Sequence, residues 1–178
     1  MPAGAKTSDA HILSTITAWC VEQLTPADRS YLQTCVPLFE LPLDEGRRLL
    51  CYHGSPRSFD EVSAATTPDA DVQTMLAGYS AAVFVGGHTH IQILRRYQDA
   101  HLVNVGSIGL PGVNAGSPAL AVNRHVHWAE YGVLSVERGQ SSIDLRRISL
   151  NVAALLETGR NSGMPYLEWW IQKWDNNA

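Results

Sequence analysis

Histidines are the side chains in this sequence best placed to do chemistry. Val83-Phe84-Val85-Gly86-Gly87-His88-Thr89-His90 drives an apolar run of β-forming residues into two glycines, and two histidines follow at i and i+2. On an α-helix that spacing sends the rings to nearly opposite sides. At a strand end or in a tight loop, both imidazoles can face one pocket. Imidazole is the commonest metal ligand among side chains, and paired glycines let the backbone turn sharply beside an ion or a phosphate. Two other apolar segments end in the same way. Leu49-Leu50-Cys51-Tyr52 runs into His53-Gly54-Ser55-Pro56, and His101-Leu102-Val103 runs into Asn104-Val105-Gly106-Ser107. Strand exits are where layered α/β folds keep their sites. His101 precedes a strand, and His125 and His127 alternate on one without a Cys, Asp or Glu at ligand spacing; all three read as surface or packing residues.

The elements around these exits fit one globular domain over residues 1–178. The chain is 45% hydrophobic and 17% charged, enough apolar content to bury a core. A net charge of -4 argues against an extensive nucleic-acid surface but leaves a small phosphate-bearing substrate open. The apolar runs are too short to span a membrane, and Met1-Pro2-Ala3-Gly4-Ala5-Lys6 lacks the apolar core of a signal peptide. Cys20, Cys35 and Cys51 are odd in number and form no CxxC, so free thiols in a reducing, cytoplasmic setting are expected.

Ile12, Ile16 and Trp19 recur at helical spacing from Asp9 to Glu22, with Ser8 or Asp9 as the cap. Thr25-Pro26-Ala27-Asp28 opens a second helix, whose Tyr31, Leu32 and Cys35 would form a buried side before Pro37. Asp44-Glu45-Gly46 is a turn, Thr67-Pro68-Asp69 caps a helix through Met75, Leu76 and Tyr79, and residues 91–97 fit either strand or helix. Residues 113–123 read as an irregular surface segment. A strand-like stretch from His125 to Glu137 turns at Arg138-Gly139-Gln140. It pairs back over Ser142 to Ser149, with Ile143, Leu145 and Ile148 inward. A short helix follows from Asn151, and an aromatic helix around Trp169, Trp170 and Trp174 closes the chain as packing.

Tyr52-His53-Gly54-Ser55-Pro56, Gly86-Gly87-His88-Thr89-His90 and Leu102-Val103-Asn104-Val105-Gly106-Ser107-Ile108-Gly109 resemble, in order and spacing, the calcineurin-like metallophosphoesterases. The likeness is to their small bacterial and archaeal phosphodiesterase branch, and it runs from about Trp19 to the C-terminus. It implies an α/β fold, an αββα sandwich of two mixed sheets flanked by helices, with a dinuclear metal site at the strand ends. By that resemblance His53 and His88 would bind one metal and His90 the other. Two ions about 3.5–4 Å apart clamp a phosphate and activate water, and Mn, Fe, Zn or Ni all suit imidazole. Ser55, Arg57 and Asn104 are candidate substrate-binding residues, with turn and surface roles as the alternative.

The same family pattern begins with an apolar strand ending in Asp-x-His, then Gly-Asp, then Gly-Asn-His, and these are not recognisable here. Ser8-Asp9-Ala10-His11 has the letters of the first, but no apolar strand precedes it and a helical pattern follows. The expectation is a chain corresponding to the C-terminal part of such a domain, without its N-terminal strands. The bridging Asp and the proton donor are then missing, so no catalytic residue is named and activity alone is weak or absent. An exposed sheet edge would follow, favouring homo-oligomers, exchange of elements between copies, or assembly with the missing portion. The alternative function is a non-catalytic protein-binding scaffold on the same fold. The presence of His53, His88 and His90 together favours the enzyme.

Overall fold

A computed structural model describes residues 8–113 and 124–174. They divide into two compact units, one from the chain ends (up to Cys35 and from Asn151 onward) and one spanning Val36–Leu150. Most of the irregular segment expected at 113–123 lies outside the described residues.

The first unit is helical. α1 (Asp9–Gln23) is capped by Ser8, whose hydroxyl accepts from the His11 N–H. α2 (Pro26–Leu32) starts with a full capping box. Thr25 Oγ1 accepts from the Asp28 N–H, and the Asp28 carboxylate accepts from the Thr25 N–H. The expected buried side of α2 does not form, because Tyr31, Leu32 and Cys35 are all exposed. Seven residues make barely two turns, and caps alone define the helix. α4 (Val152–Asn161) is capped by Asn151. In α5 (Leu167–Gln172) the Trp170 ring lies over Gly159, where an added Cβ would sit 2.8 Å from it. Trp174 is buried edge-on to Trp170, and the Trp169 indole donates to Asp9 at 3.1 Å. The terminal tryptophans are packing within this unit, as expected.

The second unit holds a five-stranded mixed sheet in the order β1-β2-β3-β5-β4. Its strands are β1 (Phe39–Pro42), β2 (Arg48–Cys51), β3 (Val83–Gly86), β4 (Ile93–Tyr97) and β5 (Ala100–Asn104). β2, β3 and β5 run parallel, with Leu50 opposite Phe84 and Gly86 opposite Asn104, so their C-terminal ends lie along one edge. β1 and β4 flank them antiparallel. Of residues 91–97, Ile93–Tyr97 resolve as strand because β5 pairs them, a long-range choice that local pattern leaves open.

Alternation along these strands sorts the core into two faces. Leu50, Phe84 and Leu102 point to one side and pack with Val72 of α3 (Asp69–Met75) and with its C-cap Leu76, where the helix ends short of the expected Tyr79. Arg95 of β4 ties down the start of that helix by donating to the Thr67 carbonyl and the Asp69 carboxylate. The cap differs from expectation. Pro68 is the N-cap, and the Thr67 hydroxyl instead accepts from the Ala64 N–H at 2.8 Å. Leu49, Val83 and Val103 point the other way, against Leu134, Ile143 and Leu145. Those residues belong to β8 (Trp128–Glu137) and β9 (Gln140–Ser149), an antiparallel hairpin. Ile148 stays exposed, so only Ile143 and Leu145 of the expected trio turn inward. The second sheet layer is therefore an antiparallel hairpin, beside a two-stranded ribbon of β6 (Gly112–Val113) and β7 (Arg124–His125). Among the described residues no helix is long and apolar enough to cross a membrane.

The hairpin tip is tied to the turn between β1 and β2. Arg138 and Gly139 both adopt positive φ, the geometry of a two-residue primed turn. The Gly139 N–H donates to Asp44, whose carboxylate also pairs with Arg47 at 2.6 Å. These contacts, the Gly139 hydrogen bond first, hold the Asp44 carboxyl below its ordinary value. A lowered folded value stabilises the protein above the ordinary carboxylate pKa, and that contribution is lost as pH falls through the lowered one. Urea unfolding of wild type should therefore weaken more steeply between pH 7 and strongly acidic pH than that of Asp44→Asn. Equal pH dependence in the two proteins would show that the clamp contributes nothing.

Candidate metal centre

The parallel pairing of β2 and β3 delivers His53 and His88 to the same place. Each lies two residues beyond its strand, and the Gly87 N–H donates to the His53 carbonyl at 2.8 Å, extending the pairing into the loops. Gly86 is required just before this point. A Cβ there would meet the Tyr52 ring at 2.8 Å. Burial pushes the Tyr52 phenol up to about 12, so it stays protonated. The His88 Nδ1 then stands 3.3 Å from the His53 Nε2, with the rings edge to face. Two imidazole nitrogens, each about 2.0–2.1 Å from a tetrahedral zinc, are separated by about 3.3–3.4 Å. That separation is compatible with two ligands on one cation, and it is equally that of an N–H···N hydrogen bond between the two rings.

The turn that carries the histidines is strained. His88 has φ 64° and His90 has φ 58°, both in the left-handed region. His enters that region more readily than bulky residues, yet two such positions in three residues persist only when the surroundings enforce them. Asn104 supplies the enforcement. Its buried amide donates to the Gly87 carbonyl and to Thr89 Oγ1, while its Oδ1 accepts from the Gly106 N–H at 2.9 Å. The register that sets Gly86 opposite Asn104 puts the amide level with the turn.

His90 faces the next loop. Its Nδ1 is 3.0 Å from the Leu110 carbonyl oxygen, which can only accept, so Nδ1 carries the proton and the neutral ring keeps its lone pair on Nε2. Burial lowers the His90 pKa, partly opposed by the Leu110 hydrogen bond and assisted by His53 and His88. A neutral imidazole with one nitrogen anchored and the other free has the form of an oriented metal ligand. Among the described residues no group of three or more His, Cys, Asp or Glu side chains converges as a metal cage.

Ser55 and Arg57 lie on the loop after β2, each with protein partners. The buried Ser55 hydroxyl accepts from the N–H groups of Arg57 and Ser58 at 3.2 and 3.1 Å, closing a tight turn. The Arg57 guanidinium donates through Nε to both Glu61 oxygens at 3.0 and 3.2 Å. The pair raises Arg57 and lowers Glu61. Sequence reading missed Glu61, although its i+4 offset from Arg57 was available. It also missed the Leu110 carbonyl, for which no sequence signal exists. Asp9 and His11 sit on α1, Asp9 taking the Trp169 indole and His11 lying edge-on to Tyr166.

No protein-family model matches the chain, and no curated protein matches it. Solved structures do match in shape. A hypothetical protein from Pyrococcus horikoshii superposes with a TM-score of 0.70 at 14% identity, over 97% of this chain and 63% of that one. A metallophosphoesterase from Sphaerobacter thermophilus superposes with a TM-score of 0.63 at 17% identity, over 91% of this chain and 67% of its own. The chain thus spans less than two thirds of the Pyrococcus protein it matches. The shared property is the α/β fold, a five-stranded mixed sheet with a hairpin, as seen in a metallophosphoesterase.

Removing the Asn104 side chain strands three hydrogen-bonding groups around the histidine turn. Asn104→Ala should cost about 2 kcal/mol or more in urea unfolding. It should also broaden the NMR signals of His88 and His90. A variant as stable as wild type would show that the turn holds its shape without the amide.

Proposed function

We propose that this chain carries part of a metal-dependent phosphoesterase centre, acting on a phosphodiester or phosphomonoester through metal-activated water. The observation that carries this reading is the His53–His88 pair, whose nitrogens stand 3.3 Å apart on a strained turn. His53 and His88 would hold one cation, Mn, Fe, Zn or Ni, and His90 Nε2 would face a second. Bound there, such an ion supplies Lewis acidity toward a phosphoryl oxygen and lowers the pKa of its water. The chain's own residues orient the ligands: Asn104 fixes the turn, and the Leu110 carbonyl fixes the His90 tautomer. Two imidazoles on one cation fall short of the three protein ligands usual in a catalytic site. Modest metal affinity and slow turnover by this chain alone follow. Free Cys20, Cys35 and Cys51 support a reducing, cytoplasmic setting.

Cobalt titration followed by visible absorption tests the reading, with bis-p-nitrophenyl phosphate hydrolysis in Mn as a second readout. His88→Asn keeps a residue tolerant of left-handed φ and removes the imidazole. It should bind cobalt at least tenfold more weakly and lose any hydrolysis while keeping its fold. Equal cobalt affinity in wild type and variant would overturn the proposal.

An assembly role is favoured by a separate observation. β1 is an edge strand, and Phe39 and Leu41 on it are about half exposed. Such an edge supports strand addition from a second copy or another chain. Light scattering at rising concentration should show self-association that Leu41→Lys weakens; a monomer at all concentrations would remove this reading.

A further inference from the structure

Small side chains open a cavity at the end of the sheet opposite the histidines. Leu50, Phe84 and Leu102 lie level on the three parallel strands and form the core face beneath α3. Two residues back along each segment, on the same face, stand Arg48, Ala82 and Ala100. The strand pairing reaches this row. The Ala82 N–H donates to the Arg48 carbonyl at 2.9 Å, and the His101 N–H donates to the Ala82 carbonyl at 3.0 Å. The covering helix stops short of it, since α3 ends at Met75 and Gly78 turns the chain at φ 87°. What is left is a cavity of about 690 Å³, lined on its apolar side by the buried Leu76, Phe84 and Tyr97. Small-molecule sites run from about 300 to 1,000 Å³.

Three charged residues line this cavity: Arg47, Arg48 and Asp99. Arg47 is committed to Asp44 at 2.6 Å, and the Gly139 N–H holds that carboxylate in place. Arg48 reaches Glu40 at 3.3 Å, with the two side chains 50% and 53% exposed. An exposed pair of that kind is worth little and exchanges readily. Asp99 is exposed and forms no ion pair among the described residues. Arg96 lies on the other face of β4 by alternation with the buried Tyr97, and its Nε donates to the Gln98 carbonyl. The cavity therefore offers one exchangeable cation and one unpaired anion. Arg48 and Ala100, next to Asp99, are two strand spacings apart, about 9.5 Å. The two charges flank the alanine row from opposite sides.

We infer that this cavity binds a small zwitterion whose carboxylate and ammonium groups are separated by an apolar chain. The carboxylate meets Arg48, the ammonium meets Asp99, and the chain lies over Ala82 and Ala100 against Phe84. An ion of one sign is attracted at one end of the row and repelled at the other, whereas a zwitterion gains at both. Covering the methyl groups and the apolar side adds the hydrophobic contribution that the early end of α3 leaves unused. The site is independent of the candidate metal centre, which lies at the opposite ends of the same strands.

NMR titration of the nitrogen-15-labelled full chain with 6-aminohexanoate, followed at the Ala82 and His101 amides, tests the inference. The zwitterion should bind at least about tenfold more tightly than hexanoate or hexylamine, each of which forgoes one charge-assisted hydrogen bond. Glycine, whose charges are too close together to span the row, should also bind at least about tenfold more weakly. Asp99→Asn should bring 6-aminohexanoate and hexanoate within about threefold of each other, and Arg48→Gln should do the same for 6-aminohexanoate and hexylamine. Both variants change exposed side chains, and the comparison of probes on wild type decides the matter if either fails to fold. Absent shifts at the two amides, or equal affinity for the three six-carbon probes, would overturn the inference. So would discrimination that stays unchanged in either folded variant.

Discussion

Asn104 stands at the end of β5, beside the turn that carries His88 and His90, and its carboxamide bridges the two. The amide is buried, and both of its polar atoms are used: the nitrogen on Gly87 and Thr89, the oxygen on Gly106. A buried amide left without partners is expensive, so this network forms completely or the local structure fails. Completed, it holds two non-glycine residues in left-handed backbone and aims two imidazoles. The strain is local, and the sheet that supports it is not.

That sheet is rigid because both of its faces are covered. Central parallel strands buried on two sides read as continuous apolar runs, as Leu49-Leu50-Cys51 and Val83-Phe84-Val85 do. α3 takes one face and the hairpin the other, and the two cores share no residue. A one-residue slip between β3 and β5 would turn Asn104 to the wrong face and exchange the two cores. Packing thus guards the register on which the site depends. Rigidity ends at the margins, where β1 leaves Phe39 and Leu41 half exposed and the loop tips carry Phe59 and Ile108 into solvent.

Charge is arranged with similar economy. Arg57 is spent on Glu61, Arg95 on α3, and Arg47 on Asp44, so the basic residues nearest the strand ends and turns serve the fold. Burial favours the neutral imidazole at His90. Neutral imidazoles compete poorly for anions and well for cations. That is the electrostatic support for the proposed metal centre.

Much of the second unit was legible in the sequence. The apolar runs at 48–51, 83–86 and 101–104 announced buried strands, and the glycines after them announced sharp exits. The hairpin was visible from alternation around Arg138-Gly139. Helix starts were legible where a side chain caps its own backbone, as at Ser8, Thr25 and Asn151. Local chemistry sufficed in each case because its partners lie within a few residues. The short edge strand β1 went unseen, and residues 91–97 stayed undecided, because their conformation is chosen by neighbouring strands. The apolar side assigned to Tyr31 and Leu32, and the inward turn assigned to Ile148, fail for a related reason. A residue type states a preference for burial, and only the assembled chain decides whether anything is there to bury it. The sequence alone determined which histidines follow strands. That two of them bring ring nitrogens within 3.3 Å of each other, beside an amide on a third strand, was decided by the tertiary register.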